Sequence, residues 1–240
     1  MEIYRIDHLH ASQAQGVAIV IDVIRAFTVA GYAFAGGARK LWLVRAVEEA
    51  QALRRREPTA LLAGEIGGRL ISGFDLNNSP TLMASTNVYD RVIIQRTGAG
   101  THGAVAAANA AHILLCSLNN ARATAIYARK LAASSNEIIT LLPTATYNKE
   151  KDGWNEDELC ADYVEALLTT PDDAPDIVAN GIARLYATDR FHEFAAGDPD
   201  IPIEDIEAIL AIDCFPFAMH SERRQWENIS YVEALRADIA

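Results

Sequence analysis

Between Gly64 and Pro80 the chain reads Gly-Glu-Ile-Gly-Gly-Arg-Leu-Ile-Ser-Gly-Phe-Asp-Leu-Asn-Asn-Ser-Pro, directly after the apolar run Ala60 to Ala63. Carboxylates, amides, an arginine and a hydroxyl packed behind a buried strand suit ligand binding, because the carboxyl ends of strands in open α/β sheets face the crevice where ligands sit. Two further stretches share that pattern. Asp22 lies near the end of the run Val17 to Val23 with Arg25 just beyond it, and Thr97-Gly98-Ala99-Gly100-Thr101 follows Arg91 to Gln95. Asp22, Glu65 and Asp75 would supply hard oxygen ligands for a cation such as Mg2+. The glycine-rich loop would supply backbone amides for a phosphate. Each piece also has a plain structural reading: a buried Asp–Arg pair, a surface turn, or a helix cap at Ser79-Pro80.

The elements that must position these groups alternate along the first 143 residues. Strands are expected at Val17 to Val23, Leu41 to Val44, Ala60 to Ala63, Arg91 to Gln95, His112 to Cys116 and Glu137 to Leu142. Their near-continuous apolar character fits a sheet covered on both faces. Helices are expected at Ala26 to Ala35, at Val47 to Arg56, after Ser79-Pro80, after Gly103, and from Ser117-Leu118-Asn119-Asn120 to about Leu131. Strand–helix alternation of this kind predicts a three-layer α/β/α domain with a central, largely parallel or mixed sheet. Beyond it, Thr144 to Asp157 is polar and includes Lys149 and Lys151. Helices are expected near Glu158 to Leu168, within Asp172 to Phe191, and at Ile203 to Leu210. The reading is one domain over 1–240, with a core over 1–143 and a mostly helical C-terminal part over 144–240. The final aromatic segment around Phe215-Pro216-Phe217, Trp226 and Tyr231 is expected to pack on the domain or on a partner subunit.

Composition narrows the partners. With 21 basic and 32 acidic residues the formal charge is −11, which argues against nucleic acid or an anionic membrane surface. Cys116, Cys160 and Cys214 are far apart and form no CxxC pair, so neither a disulfide framework nor a zinc site is indicated and a reducing cytoplasm fits. No apolar run approaches the roughly 18 residues that span a bilayer. There is no Gly-x-Ser-x-Gly elbow, so that nucleophilic route lacks support.

The set Ile21-Asp22-Val23-Ile24-Arg25-Ala26, Gly64-Glu65-x-x-Gly68, Gly73-Phe74-Asp75-Leu76-x-Asn78-Ser79-Pro80, Thr97-x-x-Gly100-Thr101, Ser117-x-x-Asn120-Ala121 and Glu156-Asp157-x-x-Cys160-Ala161 resembles the 2-phosphosulfolactate phosphatase family. The resemblance covers most of the chain, with the motifs in the family's order. Departures are Asn77 before Asn-Ser-Pro, Leu82 two residues past the proline, and Ala99 within the threonine loop. The resemblance implies a Mg2+-dependent hydrolase acting on the phosphate ester of a small sulfonated hydroxy acid, on the way to coenzyme M or free sulfolactate, in the cytoplasm and as a homodimer. On the matching positions it implies Asp22, Arg25 and Asp75 as catalytic residues and Asp22, Glu65 and Asp75 as metal ligands. Substrate contacts would come from Asn78, Ser79, Thr97, Gly98, Gly100, Thr101 and Asn120. Arg69 and Arg96 are further candidate donors. Two alternatives stay open: a phosphatase for another small anionic phosphate ester, and a non-catalytic anion-binding protein. A carboxylate acting as nucleophile and one acting as ligand are equally compatible with the sequence.

Overall fold

The computed structural model describes residues 2–107, 109–145, 155–188, 191 and 202–239. The expected strands form as β2 (Val17–Ile21), β3 (Lys40–Val44), β4 (Leu61–Ile66), β6 (Val92–Arg96), β7 (His112–Cys116) and β8 (Ile139–Pro143), joined by β1 (Ile3–Arg5) and the short β5 (Arg69–Leu70). The helices are α1 (Ala26–Ala35), α2 (Val47–Arg56), α3 (Pro80–Ser85), α4 (Gly100–Ala106), α5 (Ala121–Ser135), α6 (Glu156–Thr169), α7 (Ala174–Tyr186) and α8 (Glu204–Ile209). Lys149 and Lys151, and part of the helical reading of Asp172 to Phe191, lie outside the described residues.

The three-layer α/β/α architecture holds. One apolar cluster lies on the face carrying Phe27, Val29 and Phe34 of α1, and a second on the face carrying Ala121, Ala125 and Ala128 of α5 with Leu159, Tyr163 and Val164 of α6. A third joins α2 to the β3, β4 and β6 end through Leu53, Trp42, Leu62 and Ile94.

The C-terminal segment departs from the expectation that it only packs on the domain. It forms two ten-residue strands, β9 (Phe217–Trp226) and β10 (Ile229–Asp238), paired along their whole length as an antiparallel hairpin. The hairpin is inserted in the middle of the sheet, whose order is β1-β8-β2-β7-β9-β10-β3-β6-β4-β5. Its placement divides the parallel strands into two blocks. β7 is antiparallel to β9, β9 to β10, and β10 to β3, so the β1, β8, β2, β7 block runs opposite to the β3, β6, β4 block. On a flat sheet the end of β2 and the end of β6 would then lie on opposite edges. They nevertheless touch: the Gln95 Nε2 of β6 donates to the Ala26 carbonyl just after β2 at 2.8 Å.

Candidate functional site

Asp22 sits one residue past β2 and is buried. Its Oδ1 accepts the Ala26 amide at 2.9 Å, and the Gly100 amide donates to the same carboxylate. Gly100 has to be glycine here, because a Cβ would stand 2.5 Å from Asp22 Oδ2 and 2.9 Å from the Ala26 Cβ. Burial pushes the Asp22 carboxyl up to about 6; the two amides oppose that shift, and the charges of Glu156 and Glu65 reinforce it.

Glu65 reaches the same loop. Its Oε1 accepts the Gly98 amide at 2.7 Å and its Oε2 accepts the Gly68 amide at 2.8 Å. Asp22 and Glu65 are therefore held by amides two residues apart. Within the loop, the Thr97 amide donates to Thr101 Oγ1 at 3.0 Å and the Thr101 amide to Thr97 Oγ1 at 3.3 Å. The amides of Thr97, Gly98, Gly100 and Thr101, expected from the sequence to cradle a phosphate, instead hold the protein's own carboxylates and close the turn.

A second buried acid stands behind Asp22. Asp157, in the first turn of α6, accepts the Val23 amide at 2.8 Å on one oxygen and the Thr144 and Ala145 amides at 3.2 and 2.8 Å on the other. It ties the end of β2 to the end of β8. Burial raises its pKa well above the ordinary carboxylate range, and the charges of Asp22 and Glu156 add to the effect. Glu156 beside it is also buried. The sequence reading placed Glu156 and Asp157 at the end of a polar stretch, just before a helix near Glu158; both lie in the first turn of α6, and Asp157 reaches the two strand ends.

Arg25 follows across a cis Ile24–Arg25 peptide. Its guanidinium is buried, with Nη1 donating to Asp205 Oδ2 at 2.9 Å and Nη2 reaching the Gly68 carbonyl at 3.5 Å. Asp205 lies on α8 and is fully buried. Its Oδ1 accepts Ser79 Oγ at 2.8 Å, Thr81 Oγ1 at 2.6 Å and the Thr81 amide at 3.2 Å. The sequence reading missed Asp205, since an acidic residue in a short helix carries no motif. Its one signal was a charge on the side of α8 that also carries Ile206 and Ile209 into the core.

Other expected residues are placed differently. Asp75 Oδ2 accepts Arg54 Nη1 at 2.6 Å and the Leu62 amide at 2.8 Å. The arginine at the end of α2 thus takes the carboxylate that was expected beside Asp22. Asn120 is occupied in its own turn, accepting the Ser117 amide at 3.0 Å and donating to the Leu115 carbonyl at 3.2 Å. Ser79 caps α3 by accepting the Leu82 amide at 3.2 Å. Asn78 accepts from Gln95 Nε2 at 3.3 Å, and the buried Gln95 Oε1 has no hydrogen-bond partner among the described residues. Arg96 donates to the backbone carbonyls of Glu65 and Arg45 at 2.7 and 3.2 Å. A cavity of about 510 Å³ opens beside Asn77, Ser79 and Thr81, with Asp75, Leu82 and Glu204 on its walls.

The family profile described as 2-phosphosulpholactate phosphatase matches residues 3–193. A protein of Bacillus subtilis named probable 2-phosphosulfolactate phosphatase is 41% identical over 163 residues, which is 67% of this chain and 68% of that one. One of the same name from Deinococcus radiodurans is 45% identical over 56% of this chain and 55% of its own. Another from Caldicellulosiruptor saccharolyticus is 33% identical over 69% and 67%. The matched span contains Asp22, Arg25, Glu65, the Thr97 to Thr101 loop, Glu156 and Asp157, and this chain belongs to the 2-phosphosulfolactate phosphatase family.

Proposed function

We propose that the protein hydrolyses the phosphate monoester of 2-phosphosulfolactate, releasing sulfolactate and inorganic phosphate, with Mg2+ as cofactor. The observation that carries this reading, beside family membership, is the buried carboxylate cluster of Asp22, Glu156 and Asp157 where β2 and β8 end, with Glu65 reaching Asp22's loop. The charges of Glu156 and Glu65 push the Asp22 carboxyl up, and a buried acid so placed is a donor suited to a hard cation. No three His, Cys, Asp or Glu side chains among the described residues are gathered into a ready coordination sphere. Mg2+ keeps several waters and usually takes one or two carboxylates together with substrate phosphate oxygens. Asp22 would hold it, with Glu65 and Glu156 nearest in the cluster. When bound, the ion would polarise the phosphoryl oxygens and help position a water. Asp75 is left out of this set because Arg54 and the Leu62 amide already take its carboxylate.

The chain's own contribution is charge and position. Arg25 places a guanidinium beside the cluster to meet the negative charge of the phosphate ester or sulfonate. The Thr97–Thr101 turn fixes Asp22 and Glu65 relative to each other, so that the attacking water meets carboxylates already aligned. A cytoplasmic homodimer acting on the way to coenzyme M or sulfolactate is the accompanying proposal. The test is phosphate release from 2-phosphosulfolactate, phosphoglycolate and ethyl phosphate, each with Mg2+ and with EDTA. We expect Mg2+-dependent turnover with preference for the sulfonated substrate. Release from none of the three would refute phosphatase activity, and equal kcat/KM on all three would refute the substrate assignment.

A further inference from the structure

We propose that Asp205 is a positioning residue for the phosphatase site: it sets the orientation of Arg25 relative to the Asn-Ser-Pro turn and tempers that arginine's charge. This rests on the reading of Arg25 as the group that meets the anionic substrate. Asp205 lies beyond the stretch 3–193 that carries the family match, on a helix whose sequence shows no site motif.

The geometry is that of a two-sided clamp. One oxygen, Oδ2, is directed at Arg25 Nη1 at 2.9 Å, and the other, Oδ1, collects the Ser79 hydroxyl, the Thr81 hydroxyl and the Thr81 amide at 2.8, 2.6 and 3.2 Å. The three donors on Oδ1 fix the plane of the carboxylate, so the fourth contact fixes the guanidinium. Arg25 comes from the end of β2, Ser79 and Thr81 from the start of α3, and Asp205 from α8. A single side chain therefore joins three segments of the chain; Arg25, Ser79 and Asp205 are buried at the junction and Thr81 is half-buried. Buried carboxylates with four good donors hold their geometry well, because any rearrangement leaves an unsatisfied polar group.

The same contact has an electrostatic consequence. A guanidinium with a carboxylate at 2.9 Å attracts a further anion less strongly than an uncompensated one. Arg25 is thereby restrained from holding phosphate tightly in the ground state while remaining aligned for the charge that develops in transfer, the division of binding energy that favours turnover over product retention. Removing the Asp205 charge should therefore act in opposite directions on binding and on rate.

The experiment compares wild type, Asp205→Asn and Thr81→Val. Asp205→Asn removes the charge with little change of shape. Thr81→Val removes the shortest support of Oδ1 and leaves both members of the ion pair. Inorganic phosphate binding is measured by calorimetry, and turnover of 2-phosphosulfolactate with Mg2+ is measured separately. In Asp205→Asn we expect phosphate to bind about tenfold more tightly and kcat to fall at least tenfold, so that KM and kcat drop together. Thr81→Val should lower kcat by a smaller factor with phosphate affinity unchanged. A structural role alone would lower the folded fraction without tightening phosphate. If Asp205→Asn folds only in the presence of phosphate, the anion is replacing the lost carboxylate, which supports the proposal. If it does not fold with phosphate either, Thr81→Val decides, and wild-type kcat in that variant overturns the proposal. Unchanged phosphate affinity in folded Asp205→Asn also overturns it. Absence of turnover in the wild type would defeat the phosphatase reading while leaving the phosphate-binding comparison intact.

Discussion

Asp22→Asn should remove a pH dependence of stability that the wild-type protein carries. The Asp22 carboxyl is raised from 3.8 to about 6, with burial as the largest cause. The folded state thus holds this proton to higher pH than the unfolded chain does. Stability from this group is complete below about pH 4 and falls as pH rises to about 6. Above that it is flat, having lost about 3 kcal/mol at 1.36 kcal/mol for each unit of the shift. Roughly 2 kcal/mol of that loss lies between about pH 4.5 and 7.5. Asparagine offers a single acceptor to the two amides of Ala26 and Gly100, and turning its NH2 toward one of them costs about 1–3 kcal/mol. That penalty is the same at every pH. The informative quantity is therefore the difference between the two pH values, measured by urea denaturation in EDTA. The wild-type midpoint should fall by about 0.5–1 M urea more than the mutant's across this range. Asp157, whose raised pKa owes part of its shift to Asp22, adds to the wild-type slope in the same direction. Equal slopes in the two proteins would show that Asp22 is not a desolvated acid and would remove the electrostatic basis of the site.

Three further outcomes follow from the same contacts. Adding Mg2+ should raise the melting temperature of the wild type more at about pH 7.5 than at about pH 5, since protons and the cation compete for the same carboxylates; equal shifts would place the ion elsewhere. Gly100→Ala should destabilise by about 1–3 kcal/mol and lower kcat sharply, because the added methyl collides with Asp22 and Ala26, and a folded variant with normal kcat would show that the Asp22–loop contact is dispensable. Asp75→Ala should cost about 1–2 kcal/mol through the lost Leu62 amide and Arg54 contacts while leaving kcat within twofold; a large fall in kcat would return Asp75 to the reacting centre.

What was legible in the sequence is what local chemistry dictates. His112–Cys116, Ala26–Ala35 and Val47–Arg56 form within the expected bounds because an apolar β-branched run or a helical stripe determines them. The hairpin of β9 and β10 was not legible. Ile229–Asp238 carries Glu, Ala, Leu and Arg at strand positions, and tertiary pairing with β3 overrides that helical preference. Its turn at Glu227-Asn228 was the available signal, with Glu227 at φ 51°. Asp22 and Glu65 stood out in the sequence because each comes at the end of an apolar run; Asp22 lies just past β2 and Glu65 in the last residues of β4. Asp75 and Asn120 belong to the same residue types, yet they satisfy nearby backbone groups, a local use that composition cannot separate from ligand binding. Asp205 was invisible because its partners are 180 and about 125 residues away in sequence.

The arrangement has an energetic logic that distinguishes its carboxylates. Asp157 accepts three amides from two strand ends, and burial with the charges of Asp22 and Glu156 still raises its pKa well above the ordinary carboxylate range, so these donors offset its charge only in part. Its work is to hold β2 against β8. Asp22 has only two amide partners and still faces the charges of Glu156 and Glu65, and its affinity for a proton near neutrality measures the compensation it lacks. Arg25, a buried cation three residues further on, is already engaged with Asp205 at 2.9 Å and so does not supply that compensation alone. Opposite charge must therefore come from a proton or from a cation, and above about pH 6 the proton leaves. The unfavourable charge is shared by Asp22 and Asp157, and Asp22 is the one beside a glycine that admits no side chain, where a cation and a phosphoryl group would relieve it together. In that respect the cost of folding Asp22 into the interior is the counterpart of the affinity proposed for Mg2+ at the same atom pair, and a protein stabilised by neutralising it should lose both.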